Sequence, residues 1–127
     1  MRSKYKFTIE MYRTTIHYYP TKEEFEKVIG HELNSHIGGS VYNNEDGGLD
    51  IFVPLDQDGS LSVVDLAHEA FHAADFIADN VGLVYSPGSA NEHMAYLVGS
   101  IVGGLWDQIA KARKRMGYDR SNQTQDS

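Results

Sequence analysis

Two histidines and a glutamate in one short segment have types and spacing that suit metal-assisted hydrolysis. The segment is His68-Glu69-Ala70-Phe71-His72, an H-E-x-x-H motif within an amphipathic stretch. On a helix, residues four apart lie one above the other, so both imidazoles can bind one metal ion. Glu69 is then placed to act on a water at that ion. The motif is typical of zinc hydrolases, chiefly peptidases.

A third protein ligand is predicted on the next helix. A hydrolytic zinc site has three protein ligands and keeps a fourth position for water. Since the chain contains no cysteine, these ligands must be His, Asp or Glu. Glu92 begins a second apolar-periodic stretch, on a small-residue stripe with Ala95, Gly99 and Gly103 that would let two helices approach closely. We therefore expect one zinc ion per chain, with His68, His72 and Glu92 as its ligands.

The elements before the motif follow from hydrophobic periodicity. Residues 4–19 alternate apolar and polar side chains and predict a β-hairpin. A capping box at Thr21 to Glu24 begins a helix. Residues 40–42 and 49–53 read as short strands. Because Pro54 cannot donate a hydrogen bond to a ladder, the second of these is predicted to be an edge strand.

Two longer helices are predicted to carry the site, over residues 62–80 and 89–116, and Gly82 is placed to end the first. We expect one domain over residues 1–118 and a disordered tail over residues 119–127. The first helix is predicted to bury Val63, Leu66, Ala67, Ala70, Ala74, Ile77 and Val81, and the second Met94, Leu97, Val98, Ile101, Leu105 and Ile109.

Composition narrows the range of partners. The formal net charge of −7 argues against nucleic acid or an anionic membrane as the main partner, because a protein that binds either of them needs a basic face. The longest apolar run, residues 95–106, is too short to span a bilayer. The first residues lack the apolar core of a signal peptide. We expect a cytoplasmic protein, or one released without a signal peptide, that acts on a peptide or protein. The sequence leaves its oligomeric state open.

The motif together with Ser89-Ala90-Asn91-Glu92 resembles the gluzincin (thermolysin-like) family of zinc metallopeptidases. In size the chain is similar to the small metallopeptidase-like proteins of tailed phages. The resemblance implies an α+β, zincin-like fold, in which a small mixed or antiparallel sheet with an edge strand packs on the H-E-x-x-H helix, a glutamate-ligand helix and a backing helix. Many family members carry an acidic residue four positions after the glutamate ligand, where this chain has Tyr96.

The resemblance also implies roles for individual residues. Glu69 would be the general base that accepts a proton from a metal-activated water and returns it to the leaving nitrogen. A peptide would lie antiparallel to the predicted edge strand at residues 50–53. Asp75 would orient the imidazole of His72 from behind. Tyr85 would stabilise the oxyanion.

Two functions stay open from the sequence. The first is an active zinc metallopeptidase, which an intact Glu69 favours because a purely structural site needs no base. The alternative is a non-catalytic zinc-containing module that binds a peptide or protein. The other histidines, His17, His31, His36 and His93, are interpreted as solvated or structural. His31 and His36 are five residues apart, a spacing that would turn them away from a common helix face.

Overall fold

Four strands and three helices form an α+β fold with a mixed sheet. The computed structural model describes residues 1–34 and 38–118; the predictions for His36 and for residues 119–127 lie outside them. In chain order the elements are β1 (Lys6–Ile9), a short 3-10 helix (Glu10–Tyr12), β2 (Thr14–Tyr19), α1 (Lys22–Ile29), β3 (Ser40–Asn43), β4 (Leu49–Phe52), α2 (Val63–Val81) and α3 (Glu92–Arg115).

The sheet has the strand order β1-β2-β4-β3, which makes β4 a central strand. Strand β4 pairs in parallel with β2 and antiparallel with β3. The prediction of an edge strand at residues 49–53 is therefore wrong, and the edge strands are β1 and β3. Pro54 does not interfere, because it follows the last paired residue, Phe52, and its missing N–H falls outside the ladder.

Helices cover both faces of the sheet. Because successive residues of a strand point to opposite sides, neighbouring residues of β4 belong to different apolar clusters. Ile51 belongs to the main core, which α2 and α3 complete. Phe52 belongs to a second cluster with Tyr19 and Phe25, which α1 covers. The described helices include none with both the length and the apolarity needed to cross a membrane.

Capping residues set the start of α1 and both ends of α2; the roles of Thr21 and Gly82 are those predicted, and that of Ser62 is added by the structure. The hydroxyl of Thr21 accepts a hydrogen bond from the Glu24 amide at 3.3 Å, and that of Ser62 accepts one from the Asp65 amide at 3.2 Å. Gly82 ends α2 with a positive φ of 75°, a conformation that glycine adopts at no steric cost. These local signals confirm both helices.

The buried face of α2 differs in part from the prediction. Val63 and Val81 are exposed because they are the first and last residues of the helix, and Ala67 also faces solvent. Glu69 is buried instead. For α3 the prediction is confirmed apart from the half-buried Val98; its buried residues are Met94, Leu97, Ile101, Leu105, Gln108, Ile109 and Ala112.

The small-residue stripe of α3 is not a packing surface. Ala95, Gly99 and Gly103 are exposed, and a Cβ atom added at either glycine would meet no atom within 4 Å. The prediction that this stripe brings α2 and α3 together is therefore wrong. The close approach occurs at Gly104, where an added Cβ would run into the ring of Phe7 on β1.

Alanine at Gly99 or Gly103 is expected to raise the free energy of unfolding by about 0.5–1 kcal/mol each, because glycine is costly inside a helix. Urea denaturation measures the change. Gly104→Ala is the matched control in the same helix and is expected to destabilise the protein through the collision with Phe7. A loss of stability at Gly99 or Gly103 would contradict the exposed position of the stripe.

A buried carboxylate ties β4 to the amino-terminal segment. Asp50 is fully buried. Its Oδ1 accepts a hydrogen bond from the Tyr19 hydroxyl at 2.9 Å and lies 3.5 Å from Nε of Arg2, and its Oδ2 accepts one from Asn44 Nδ2 at 3.4 Å. Because the charge is paired and hydrogen-bonded, a carboxylate is tolerated in a central strand.

Candidate metal centre

His68 and His72 converge on the solvent face of α2. Their Nε2 atoms are 3.1 Å apart, and their ring centroids are 4.7 Å apart. Both side chains are exposed. Two nitrogen lone pairs at this distance repel one another unless a proton or a metal cation lies between them. The convergence predicted from the four-residue spacing is confirmed.

The separation of the two nitrogens fits two ligands of one zinc ion. Nitrogens bound tetrahedrally at the usual zinc–nitrogen distance lie about 3.3–3.4 Å apart, close to the 3.1 Å found here. An N–H···N hydrogen bond between the two rings has the same length. The pair therefore suits either a shared proton or a shared divalent cation, and imidazole is a ligand that zinc prefers.

Glu69 lies beside this pair but inside the protein. Only 6 % of its surface is exposed. Its side chain packs against the backbone of Gly39, the residue just before β3: a Cβ added to Gly39 would lie 2.7 Å from Glu69 Cγ and 3.0 Å from Oε2. The absence of a side chain at residue 39 makes room for this carboxylate. Sequence reasoning missed this contact, since it joins residues thirty positions apart.

The environment of Glu69 shifts its proton affinity in the direction that a base requires. Burial is the main cause and raises the pKa of Glu69 above its ordinary value, because it disfavours the charged form. His68 and His72 oppose that shift when protonated, and the nearby Asp65 adds to it. A carboxylate with a raised pKa takes up a proton more readily near neutrality than an exposed one does.

Glu92 does not join the histidine pair. It is the first residue of α3 and is exposed. Across residues 1–34 and 38–118, no three His, Cys, Asp or Glu side chains come together as a metal-binding group. α2 runs on to Val81, roughly 13 Å along its axis beyond His72. The predicted helix, which runs to residue 80, already placed its own end at a similar distance from His72.

Asn91 organises the loop that leads into α3. Its side-chain amide donates to the carbonyl oxygens of Ser86 at 2.8 Å and Ser89 at 3.0 Å. Its Oδ1 accepts from the Ser86 amide at 3.2 Å. Asn91 itself has a positive φ of 49°, which asparagine tolerates better than most residues. The Asn91 side chain therefore holds together the loop that precedes α3 and makes no capping hydrogen bond to the helix itself, a role that sequence reasoning did not assign.

Asp75 and Tyr85 bind one another. The Tyr85 hydroxyl donates to Asp75 Oδ1 at 3.3 Å. Desolvation, with a further contribution from Asp75, raises the pKa of Tyr85 above its ordinary value. The structure thus places Asp75 against Tyr85, whereas the family resemblance placed it behind His72. Both side chains are exposed: Asp75 lies on α2, three residues after His72, and Tyr85 lies in the loop that follows α2.

The edge strand that borders α2 is β3. The side-chain amides of Asn43 in β3 and Asn80 in α2 exchange hydrogen bonds of 3.4 and 3.2 Å. A peptide that extends this sheet beside α2 would therefore pair with β3 and not with residues 50–53. On α2 itself, Phe71 is 47 % and Val64 77 % exposed, so apolar surface flanks the histidines.

Comparisons with known proteins assign no family. No family model, no curated protein and no solved structure matches the chain. Any function must therefore be inferred from the residues and the geometry described above.

Proposed function

We propose that this protein is a single-domain zinc metallopeptidase that hydrolyses peptide bonds, with one zinc ion per chain. The observation that carries the proposal is the convergence of the His68 and His72 nitrogens beside a buried Glu69. Hydrolysis by an activated water needs ligands for the metal ion and a base for the water proton, and the two imidazole nitrogens and the Glu69 carboxylate would supply them.

Different residues of the chain would bind the metal ion and transfer the proton. His68 and His72 would hold the ion. When bound, zinc supplies Lewis acidity toward water and toward the scissile carbonyl. Glu69 takes the proton of the attacking water and returns it to the leaving nitrogen. Burial of Glu69 against Gly39 keeps its carboxylate from rotating into solvent.

Glu92 is the proposed third ligand, on the strength of its place in the Asn-Glu pair that opens α3. Its carboxylate reaches the histidines only if the loop between α2 and α3 shifts when the metal binds. That loop carries Tyr85, whose hydroxyl is the proposed donor to the oxyanion. A shift would exchange the contact between Tyr85 and Asp75 for one with substrate, and would leave Asp75 to orient the imidazole of His72.

Zinc content tests the site directly. Elemental mass spectrometry on tag-free protein is expected to find one zinc ion per wild-type chain and to find none in His72→Ala, since one imidazole and one carboxylate are too few ligands to retain the ion. His31→Ala is the matched control, because it removes an exposed histidine elsewhere on the chain. Glu92→Gln is expected to weaken zinc binding by about tenfold or more.

The outcomes separate the parts of the proposal. Wild-type protein without zinc, even after supplementation and removal of excess metal, would contradict the metal site altogether. Unchanged zinc affinity in Glu92→Gln would show that Glu92 is not a ligand and would leave the histidine pair intact. Cleavage of a peptide library that stops on chelation and returns with zinc is expected if the protein is a peptidase.

A second candidate function is a non-catalytic zinc-containing module that binds a peptide or protein. It is motivated by the departure from the family pattern at Tyr96, where many gluzincins carry an acidic residue. This function predicts saturable peptide binding without turnover, and binding that Glu69→Gln does not weaken. Isothermal calorimetry beside the cleavage assay distinguishes the two.

A further inference from the structure

A pocket of about 200 Å³ lies at the carboxyl-terminal end of α3. Its lining includes Trp106, Ile109, Arg113 and Lys114 of α3, with Leu61 and Tyr118 on either side. None of the proposed zinc ligands lines it, and neither does Glu69. The pocket is therefore separate from the candidate metal centre.

The end of α3 folds back to form one wall. The Tyr118 amide donates to the Arg113 carbonyl at 2.8 Å, and the Gly117 amide to that of Lys114 at 3.2 Å. This turn lays the Tyr118 ring on Gly59, where an added Cβ would overlap the ring. These bonds also satisfy terminal carbonyls of the helix, which lessens the negative potential that a helix end would present to an anion.

The inside of the pocket is apolar and its mouth is cationic. Of the apolar lining residues, Ile109 is only 2 % exposed, whereas Trp106 is 48 % exposed and presents an open ring. Arg113 and Lys114 add positive charge, in a protein whose net charge is −7. Asp58 lies within the electrostatic reach of Arg113: hydrogen bonds from Ser60, and to a lesser extent the charge of Arg113, hold the pKa of Asp58 below its ordinary value.

We propose that this pocket binds a small organic anion, a carboxylate carried on one flat apolar ring. Size supports one ring, because apolar cavities of about 150 Å³ accommodate benzene. The ring would lie against Trp106 and Ile109. The carboxylate would meet Lys114, the exposed cation at the mouth, with Arg113 adding to the positive field. This binding needs neither zinc nor Glu69, so it stands apart from the proposed hydrolysis.

Trp106 makes the test specific, since it is the only tryptophan in the chain. The full-length protein is titrated with 3-phenylpropionate and, separately, with the uncharged 3-phenylpropanamide, while tryptophan emission is followed. A saturable blue shift at millimolar acid is expected, with binding of the amide about threefold to fivefold weaker. No saturable change with the acid, or equal binding of the two compounds, would overturn the proposal.

Two variants locate the charge that matters. Lys114→Gln is expected to weaken binding of the acid about threefold to fivefold and to leave binding of the amide unchanged. Lys111→Gln is the matched control, an exposed lysine of the same helix that does not line the pocket. An equal loss in both variants would show non-specific attraction and would overturn the site.

Other occupants give different results. In the free protein, Trp106 is expected to be quenched readily by acrylamide, because nearly half of it is exposed. Resistance to acrylamide would show that the chain itself covers the pocket. A blue shift that follows protein concentration and not ligand concentration would show that a second copy covers it. Either result would overturn binding of a small anion.

Discussion

Glu69→Gln is expected to lower kcat/KM for a cleaved peptide by about 10²–10⁴-fold while the protein keeps one zinc ion per chain. Glutamine has nearly the same shape, so it still fits against Gly39, but its amide cannot accept the proton of a water. Because the native side chain is almost fully buried, solvent cannot easily substitute for it. Initial rates on a fluorogenic peptide, with zinc measured on the same samples, give both quantities.

A matched control exists elsewhere in the chain, because His31-Glu32 is a second His-Glu pair and both side chains are exposed. Glu32→Gln is expected to leave both the rate and the zinc content unchanged. Retained hydrolysis in Glu69→Gln would remove Glu69 as the base. Loss of zinc in that variant would instead show that Glu69 supports the metal directly, and the rate change would then say nothing about proton transfer.

Gly39→Ala is expected to lower the free energy of unfolding by about 1–3 kcal/mol and to lower the hydrolysis rate with it. The new Cβ would lie 2.9 Å from the Phe52 carbonyl oxygen and 2.7 Å from Glu69 Cγ. The oxygen belongs to the backbone of a central strand and cannot yield, so the glutamate must move. Its φ of 153° adds strain for any residue with a Cβ.

Urea denaturation and peptide cleavage on the same preparation separate the two effects. Gly99→Ala serves as the control for a glycine-to-alanine change, since open space surrounds that position. At a temperature where Gly39→Ala is fully folded, a reduced rate with normal zinc content is the expected result. Wild-type stability together with a wild-type rate would contradict the packing of Glu69 on this backbone.

The parts of the fold that the sequence predicts well are those governed by neighbours along the chain. Thr21 and Gly82 act on amides or carbonyls within one helical turn, so their roles can be read without knowing the tertiary structure. The convergence of His68 and His72 has the same origin, because a four-residue spacing on a helix determines it. These predictions are confirmed by the structure.

The parts that fail depend on pairing across the chain. Pro54 correctly marks the end of a strand, yet it says nothing about which strands lie on either side. Gly99 and Gly103 have the spacing of a packing surface, but only the tertiary structure shows that nothing packs there. The contact between Gly39 and Glu69 is equally non-local. Glu92 stays a prediction, because its role depends on where a loop places the end of a helix.

The packing of Gly104 on Phe7 bears on how the chain folds during synthesis. β1 is an edge strand, and α3, the last described helix, packs against it. A ribosome releases the β1–β2 hairpin long before it has made α3, so the apolar ring of Phe7 stays uncovered until α3 has emerged. The nascent chain thus depends on α3 to protect this ring from aggregation, and substitutions at Gly104 are expected to reduce soluble yield more than they reduce the stability of the finished protein.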